Sequence, residues 1–136
     1  MDGLNNYLGS NSVDFGQMEG HSGQVDLATN YLGEVVNKYN IKSVLEIGFN
    51  AGHSSNTLLN LNNDITVVSF DIGYHYYVPI AKRYVDITYP NRHQLVLGNS
   101  TITVPEYAKT NPDKKFDLIF IDGGHMDDIA QKDLMM

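Results

Sequence analysis

Two apolar segments that each lead into a carboxylate and a glycine constrain the fold of this chain more than any other feature. Residues 44–47 run into a turn at 48–52 that contains two glycines, and residues 67–70 end at Asp71. Asp71 follows Gly52 by 19 residues, close to the distance at which a ribose-binding carboxylate follows the glycine turn of nucleotide-binding βαβ units. Two such segments in register indicate a parallel sheet with a nucleoside-containing ligand at its carboxyl edge.

The remaining apolar pattern predicts strands that alternate with helices. We predict strands at residues 44–47, 65–70, 94–97 and 116–121, and helices at residues 53–61, 75–87 and 103–109. A longer helix is predicted from an N-cap at Ser22 to Tyr39, and another begins near Asp127. Residues 1–20, rich in Gly, Asn and Ser, are interpreted as an irregular N-terminal arm with space for one short helix. Residues 21–136 are interpreted as one domain.

This alternation is typical of βαβ units, whose right-handed crossovers bring the carboxyl ends of all strands to one edge of the sheet. The predicted fold is therefore α/β, a Rossmann-like parallel sheet with flanking helices and the strand order 3-2-1-4. Ligands of such sheets bind where the strand order reverses, which is between the first and fourth strands. The carboxyl edge is predicted to carry Glu46, Asp71, Asn99 and Asp122.

Composition excludes several classes of function. The 136 residues suffice for one domain, and the formal net charge of −7 argues against general affinity for a phosphate backbone, so no nucleic-acid partner is expected. The chain has no cysteine, which excludes a thiolate nucleophile and a thiolate metal site. No apolar run reaches the length of a membrane span, and the first residues lack the pattern of a signal peptide. We therefore expect no membrane partner and a cytoplasmic location.

The first turn carries Gly48, Asn50 and Gly52 but lacks the third glycine of a dinucleotide-binding turn, because position 53 is His. Glu46 lies two residues before this turn. Its carboxylate would repel a diphosphate and favour a ligand with an ammonium or sulfonium group. The alternative is that Glu46 only caps or pairs locally. We favour the binding role, because a charge at the end of a buried strand is costly unless it is paired.

Asp71 and the next strand end each have two interpretations. The Asp71 carboxylate could accept hydrogen bonds from both ribose hydroxyls, or it could cap the following helix; we favour the ribose role. Asn99 and Ser100 end the third predicted strand. An amide there could bond a base edge, but either residue could instead cap the next helix, and the sequence does not separate these alternatives.

Asp122 and His125 follow the fourth predicted strand, which lies beside the first strand in the predicted order. Asp122 should therefore face the reacting end of the ligand, where it could act as a general base or as a ligand of a hard metal ion. His125 could accept a proton or bind a metal; the alternative is a loop histidine bonded to backbone.

These motifs resemble those of a known family. Residues 44–54 resemble the first motif of class I S-adenosylmethionine-dependent methyltransferases. Residues 116–125 resemble the fourth-strand motif of a small-molecule branch of that family, near the catechol and macrolide O-methyltransferases. The resemblance runs from about residue 20 to residue 136, and the combination of the two motifs is more specific than either motif alone.

The resemblance implies roles for the candidate residues. Glu46, Gly48 and Gly52, with Asn50 between them, would form the loop at the methionine end of the cofactor. Asp71 would hold the ribose. The residues near the adenine would be Asn99 and Ser100. Asp122 would face the methyl acceptor and, in the metal-dependent branch, bind Mg²⁺. Gln24 and the region around His21 would close over the site.

One departure from the family concerns length. The family's sheet has seven strands, whereas four are predicted in this chain, so we expect a C-terminally truncated domain that lacks the last three strands. The uncovered edge of the fourth strand would then favour self-association or pairing with another chain. The predicted function is methyl transfer from S-adenosylmethionine to a small-molecule acceptor, at oxygen in preference to nitrogen. The alternatives are a non-catalytic S-adenosylmethionine-binding or assembly module and a nicotinamide-dependent oxidoreductase; the missing third glycine argues against the latter.

Overall fold

The structure, a computed structural model, describes residues 2–11 and 24–121. Within these residues it contains five helices and four strands. The helices are α1 (Asp2–Ser10), α2 (Gln24–Tyr39), α3 (His53–Leu61), α4 (Val78–Thr88) and α5 (Ser100–Thr110). The strands are β1 (Ser43–Ile47), β2 (Thr66–Asp71), β3 (His93–Leu97) and β4 (Leu118–Ile121).

The four strands form one parallel sheet in the order β3-β2-β1-β4, which confirms the predicted fold class and strand order. Glu46 in β1 lies opposite Ser69 in β2 and opposite Phe120 in β4. At the carboxyl edge, Asp71 at the end of β2 pairs in register with Leu97 at the end of β3. The first three predicted strand ends therefore lie together at one edge.

The two faces of the sheet are covered unequally. On one face, Val44 and Val67 belong to a large apolar core built with side chains of α1, α2, α3 and α4. On the other face, Leu45 and Phe70 belong to a smaller cluster. Partly buried side chains packed against that smaller cluster include Val96, Val104, Tyr107, Phe116 and Ile121. The mostly apolar character of β1 and β2 thus reflects burial on both faces.

Residues 2–10 of the predicted N-terminal arm form the one short helix for which that interpretation left space, and this helix packs into the core. Leu4 and Leu8 are both 0% exposed, and Tyr7 contacts Tyr84 of α4 with ring centroids 5.5 Å apart. Positions i, i+3 and i+4 lie on one face of a helix, and burial of that apolar face overrides the low helix propensity of the intervening Gly and Asn residues. The predicted domain boundary near residue 20 lies outside the described residues.

Two helices begin at residues other than those predicted. α4 begins at Val78 and carries Pro79 in its first turn, as expected of a residue without an N–H. α5 begins at Ser100, three residues before the predicted start, because Asn99 serves as its N-cap. Pro105 consequently lies inside this helix. The predicted N-cap at Ser22 lies outside the described residues.

None of the helices in residues 2–11 and 24–121 combines the length and the apolar character needed to cross a bilayer.

We expect Leu8→Ala to lower the free energy of unfolding by about 2–4 kcal/mol, because it removes a fully buried side chain of α1 from the core. Urea denaturation followed by circular dichroism measures the change. The matched control is Asn6→Ala, an exposed position of the same helix, which should leave stability unchanged or raise it slightly. Equal effects of the two substitutions would contradict the packing of α1.

Candidate functional site

The loop between β1 and α3 is a tight turn with unusual backbone angles. Gly48, Asn50 and Gly52 have φ values of 102°, 58° and 82°. Gly52 must be glycine for two reasons: its φ is positive, and an added Cβ would lie 3.1 Å from the ring of Phe49. The Gly48 N–H donates to the carbonyl of Phe70 at 2.7 Å, which fixes the start of the loop on β2.

Asp71 joins this loop to the segment that follows β2. Its Oδ2 accepts the N–H of Asn50 at 2.8 Å, and its Oδ1 accepts the N–H of Gly73 at 2.7 Å. Asp71 does not cap α4, because that helix begins at Val78 without a side-chain cap; the capping alternative is wrong. The N–H of Gly98 donates to the Asp71 backbone carbonyl at 2.9 Å, so the segment that leads into α5 lies beside the backbone of Asp71.

Tyr77 fixes the side chain of Asn50, a contact that sequence reasoning did not find. The Tyr77 hydroxyl donates to Asn50 Oδ1 at 3.1 Å, and the Tyr77 ring is 1% exposed. His75 stacks on this ring with centroids 4.9 Å apart and planes 8° apart. The run of tyrosines at residues 74–77 signalled an aromatic cluster, but nothing in the sequence showed which of them is buried.

Glu46 lies beneath the loop and is 0% exposed. Its Oε1 accepts the hydroxyl of Ser55 at 2.6 Å and that of Ser69 at 2.8 Å. Since Ser55 belongs to the first turn of α3 and Ser69 to β2, the carboxylate holds three elements together behind the loop. The local pairing that was the alternative interpretation is therefore present, and the carboxylate does not lie on the surface of the site.

His93 extends this buried polar group towards α4. Its Nε2 lies 2.8 Å from Ser69 Oγ, and its Nδ1 lies 3.0 Å from the Nζ of Lys82. Burial, with a smaller contribution from the Lys82 ammonium, lowers the pKa of His93 from 6.5 to about 3. From the sequence, no role was assigned to His93. Its position at the start of β3, on the same face as Ser69, was the available signal.

Asn99 is a helix cap in this structure. Its Oδ1 accepts the N–H of Thr101 at 3.0 Å and the hydroxyl of Thr101 at 2.8 Å. Ser100 is the first residue of α5. The capping alternative thus describes Asn99, and its place beside Gly98 also brings it close to Asp71 in the fold.

The acceptor-side candidates Asp122 and His125 lie outside the described residues, as does His21. The last residue of β4, Ile121, pairs with Ile47 at the end of β1. In the part of the chain that the structure describes, no group of three His, Asp or Glu side chains is arranged to hold a metal ion. The described site therefore consists of the loop 48–52, the Asp71 carboxylate and the buried polar group behind them.

Comparisons with known proteins identify a family and several similar folds. A family model described as a methyltransferase domain matches residues 45–136. Among solved structures, the chain is similar to a provisionally assigned caffeoyl-CoA O-methyltransferase from Staphylococcus aureus, with a TM-score of 0.72 and 21% identity over 98% of this chain and 57% of that one. It is also similar to an O-methyltransferase from Bacillus cereus in complex with SAH, with a TM-score of 0.68 and 20% identity over 99% and 61% of the two chains.

A SAH-bound methyltransferase from Podospora anserina is similar as well, with a TM-score of 0.64 and 19% identity over 99% and 56% of the two chains. At these identities the likeness establishes the fold. The chain spans a little over half the length of these three proteins. A search of the curated proteins found no match.

The lowered pKa of His93 predicts a specific loss of stability in acid. The unfolded chain takes up this proton near pH 6.5 and the folded chain near pH 3, so the stabilisation is complete above pH 6.5 and is lost as the pH falls towards 3. The variant His93→Gln has no group that titrates at this position and therefore lacks this pH-dependent change in stability. We expect its deficit in unfolding free energy relative to the parent chain to shrink by roughly 2–3 kcal/mol between pH 7 and pH 4, as measured by urea titrations. A constant deficit would contradict a neutral, partly buried His93.

Proposed function

The chain belongs to the methyltransferase-domain family, whose model matches residues 45–136, and on that premise we propose that it binds S-adenosylmethionine and takes part in methyl transfer to the oxygen of a small-molecule acceptor. The observation that carries the proposal is the Asp71 carboxylate, which fixes the glycine loop at Asn50 while lying at the carboxyl edge of the sheet. That edge is where open α/β sheets bind their ligands.

The surroundings of Asp71 fit the nucleoside part of this cofactor. Within the described residues its carboxylate accepts two backbone N–H groups, whereas a carboxylate can accept about four hydrogen bonds, so acceptor positions remain for ribose hydroxyls. Ile72 and Leu97 are 48% and 57% exposed beside it. Their apolar surface suits an adenine ring, with Asn99 and Ser100 at the nearby start of α5 as further candidates for contact.

The loop 48–52 fits the methionine part. Gly48 and Gly52 leave its backbone without side chains at two positions, and Glu46 places a buried carboxylate directly behind it. A negative charge in surroundings of low dielectric attracts a cation without direct contact. S-adenosylmethionine carries an ammonium and a sulfonium group, and when bound it supplies a methyl group open to nucleophilic displacement.

Asp122 and His125 remain our candidates on the acceptor side. Asp122 follows β4, the neighbour of β1. Its proposed role is to accept the proton of the acceptor hydroxyl as a general base, and His125 is a second group able to accept that proton. Binding of Mg²⁺ at Asp122 remains a prediction from the family resemblance. Most of the rate enhancement is expected from holding acceptor and methyl donor in line. A cytoplasmic location remains the expectation from composition.

A second candidate function is a binding or assembly module that does not turn over. The observation in its favour is that, among the described strands, β4 pairs with β1 alone; its Ile119 side chain is also 59% exposed on one face of the sheet. An exposed apolar strand edge pairs readily with another chain. This candidate shares the cofactor site and differs in predicting binding without methyl transfer, together with self-association or a partner at that edge.

Calorimetric titration of the chain with S-adenosylmethionine tests the proposal. We expect micromolar affinity that Asp71→Ala weakens by about ten- to a hundredfold, since it removes charge-assisted hydrogen bonds. The matched control is Asp64→Ala, an exposed acid paired with Lys42, which should bind normally. Absence of binding by a folded parent chain, or equal binding by Asp71→Ala, would overturn the proposed site.

Two further measurements separate the candidates. Titration with NAD should give no binding, and binding of NAD in place of S-adenosylmethionine would favour an oxidoreductase. Transfer of a radiolabelled methyl group to a panel of catechols and other hydroxylated aromatic compounds tests turnover. Labelled product supports the enzyme. Cofactor binding without product from any member of the panel favours the non-catalytic module.

A further inference from the structure

A continuous chain of polar contacts runs from the surface of α4 to the buried carboxylate behind the loop. It begins at Lys82, passes through His93 and Ser69, and ends at Glu46. The three steps measure 3.0, 2.8 and 2.8 Å. The proposed function uses Glu46 and assigns no role to the other three residues.

The hydrogen-bond donors of Lys82 determine the tautomer of His93. An ammonium group has three donors and no acceptor, and the three Lys82 donors reach Asp86 Oδ1 at 2.6 Å, His93 Nδ1 at 3.0 Å and the His93 carbonyl at 3.0 Å. Nδ1 of His93 must therefore be the acceptor. A neutral imidazole then carries its proton on Nε2, which points at Ser69 Oγ.

The tautomer of His93 in turn sets the direction of the hydrogen bond between Ser69 and Glu46. Ser69 Oγ receives the His93 Nε2–H, so the single hydroxyl proton of Ser69 is available for Glu46 Oε1 at 2.8 Å. The Ser55 hydroxyl also donates to Glu46 Oε1, at 2.6 Å. The 3.1 Å approach of the two hydroxyl oxygens is then a consequence of their shared acceptor. Every proton in the chain points towards the carboxylate.

We propose that Lys82 and His93 are positioning residues for the cofactor loop: through Ser69 they fix the orientation and the negative charge of Glu46 behind the methionine end of the ligand. The inference rests on the proposed function, since it concerns the same cofactor. A hydrogen-bond chain that begins at a cation and ends at an anion is polarised along its whole length. Glu46 in turn links β1 to the first turn of α3, directly behind the residues 48–52.

A merely structural role would have a different signature. His93 also contacts the ring of Phe49, with centroids 5.0 Å apart, so its loss could loosen the core and weaken every ligand alike. A positioning role through Glu46 affects only the cationic methionine end. S-adenosylhomocysteine carries that end, with its ammonium group, whereas 5′-methylthioadenosine shares the nucleoside and lacks it. The ratio of the two affinities therefore separates the two roles.

The experiment compares both ligands by calorimetry, with methylthioadenosine measured by competition, on the parent chain and three variants. His93→Phe keeps a ring against Phe49 and removes the donor to Ser69. His93→Gln restores an amide donor where Nε2 lies. Tyr89→Phe is the control, because it removes a hydrogen bond in the same core, from the Tyr89 hydroxyl to Asn56 Oδ1 at 3.1 Å, and leaves the contacts from Lys82 to Glu46 intact.

We expect His93→Phe to weaken the affinity for S-adenosylhomocysteine about tenfold and to change the affinity for methylthioadenosine by no more than about twofold. His93→Gln should recover most of the loss. Tyr89→Phe should leave the ratio of the two affinities unchanged. In a Glu46→Gln background, His93→Phe should have no additional effect. Equal losses for the two ligands, or no loss, would overturn the inference. Failure of the parent chain to bind either nucleoside would instead overturn the proposed function and, with it, this inference.

Nitrogen-15 spectroscopy of the parent chain gives a test that needs neither a variant nor a ligand. Long-range proton–nitrogen correlations should show His93 as the Nε2–H tautomer, and Lys82→Met should admit the Nδ1–H tautomer because the donor to Nδ1 is gone. A parent chain with its proton on Nδ1 would overturn the direction of the chain and thus the proposed role of Lys82, even if every His93 variant failed to fold.

Discussion

The rest of this structure depends on one buried carboxylate, that of Glu46 in the interior strand β1. A carboxylate without partners would cost several kcal/mol in the core. Here it receives hydroxyl groups from β2 and from the first turn of α3, so the cost of burial is offset by bonds that join three elements. Those elements are the ones that carry the loop 48–52. The hydrogen bonds that satisfy the Glu46 carboxylate in the core therefore also hold the loop 48–52 in its shape.

The loop itself is held from outside as well as from behind. Asp71 takes the N–H of Asn50, and Tyr77 donates to the side chain of the same residue. Asn50 has a positive φ, a conformation that costs a non-glycine residue free energy, and these two contacts hold it there. A ligand that enters such a loop meets backbone already in place, so little conformational entropy is lost on binding. On the proposed function, Tyr77 and Asp71 would thus aid binding by holding the loop in one conformation.

The alternation of apolar runs and helical periods was enough to predict the fold, because a parallel sheet buried on both faces and its right-handed crossovers admit few arrangements. The pattern also located Glu46 and Asp71, since a charge at the end of an apolar strand is conspicuous. It did not locate α1, whose Leu4 and Leu8 lie among residues of low helix propensity and gain their stability from tertiary burial. His93 and Tyr77 were missed because their roles depend on partners far away in sequence, which only the folded chain brings within hydrogen-bond distance.

The two carboxylates also explain why this sheet edge differs from a dinucleotide site. In dinucleotide-binding folds the pyrophosphate lies at the N-terminus of the helix after the first strand, where free N–H groups and the helix dipole attract negative charge. In this chain Ser55, in the first turn of that helix, donates to Glu46, and the N–H of Asn50 donates to Asp71. The N–H of Asn50 is therefore taken by one of the protein's own carboxylates, and a second acidic side chain, Glu46, lies behind the same loop. Two acidic side chains beside the loop disfavour a diphosphate and fit the positive charge that the proposed sulfonium nucleoside carries.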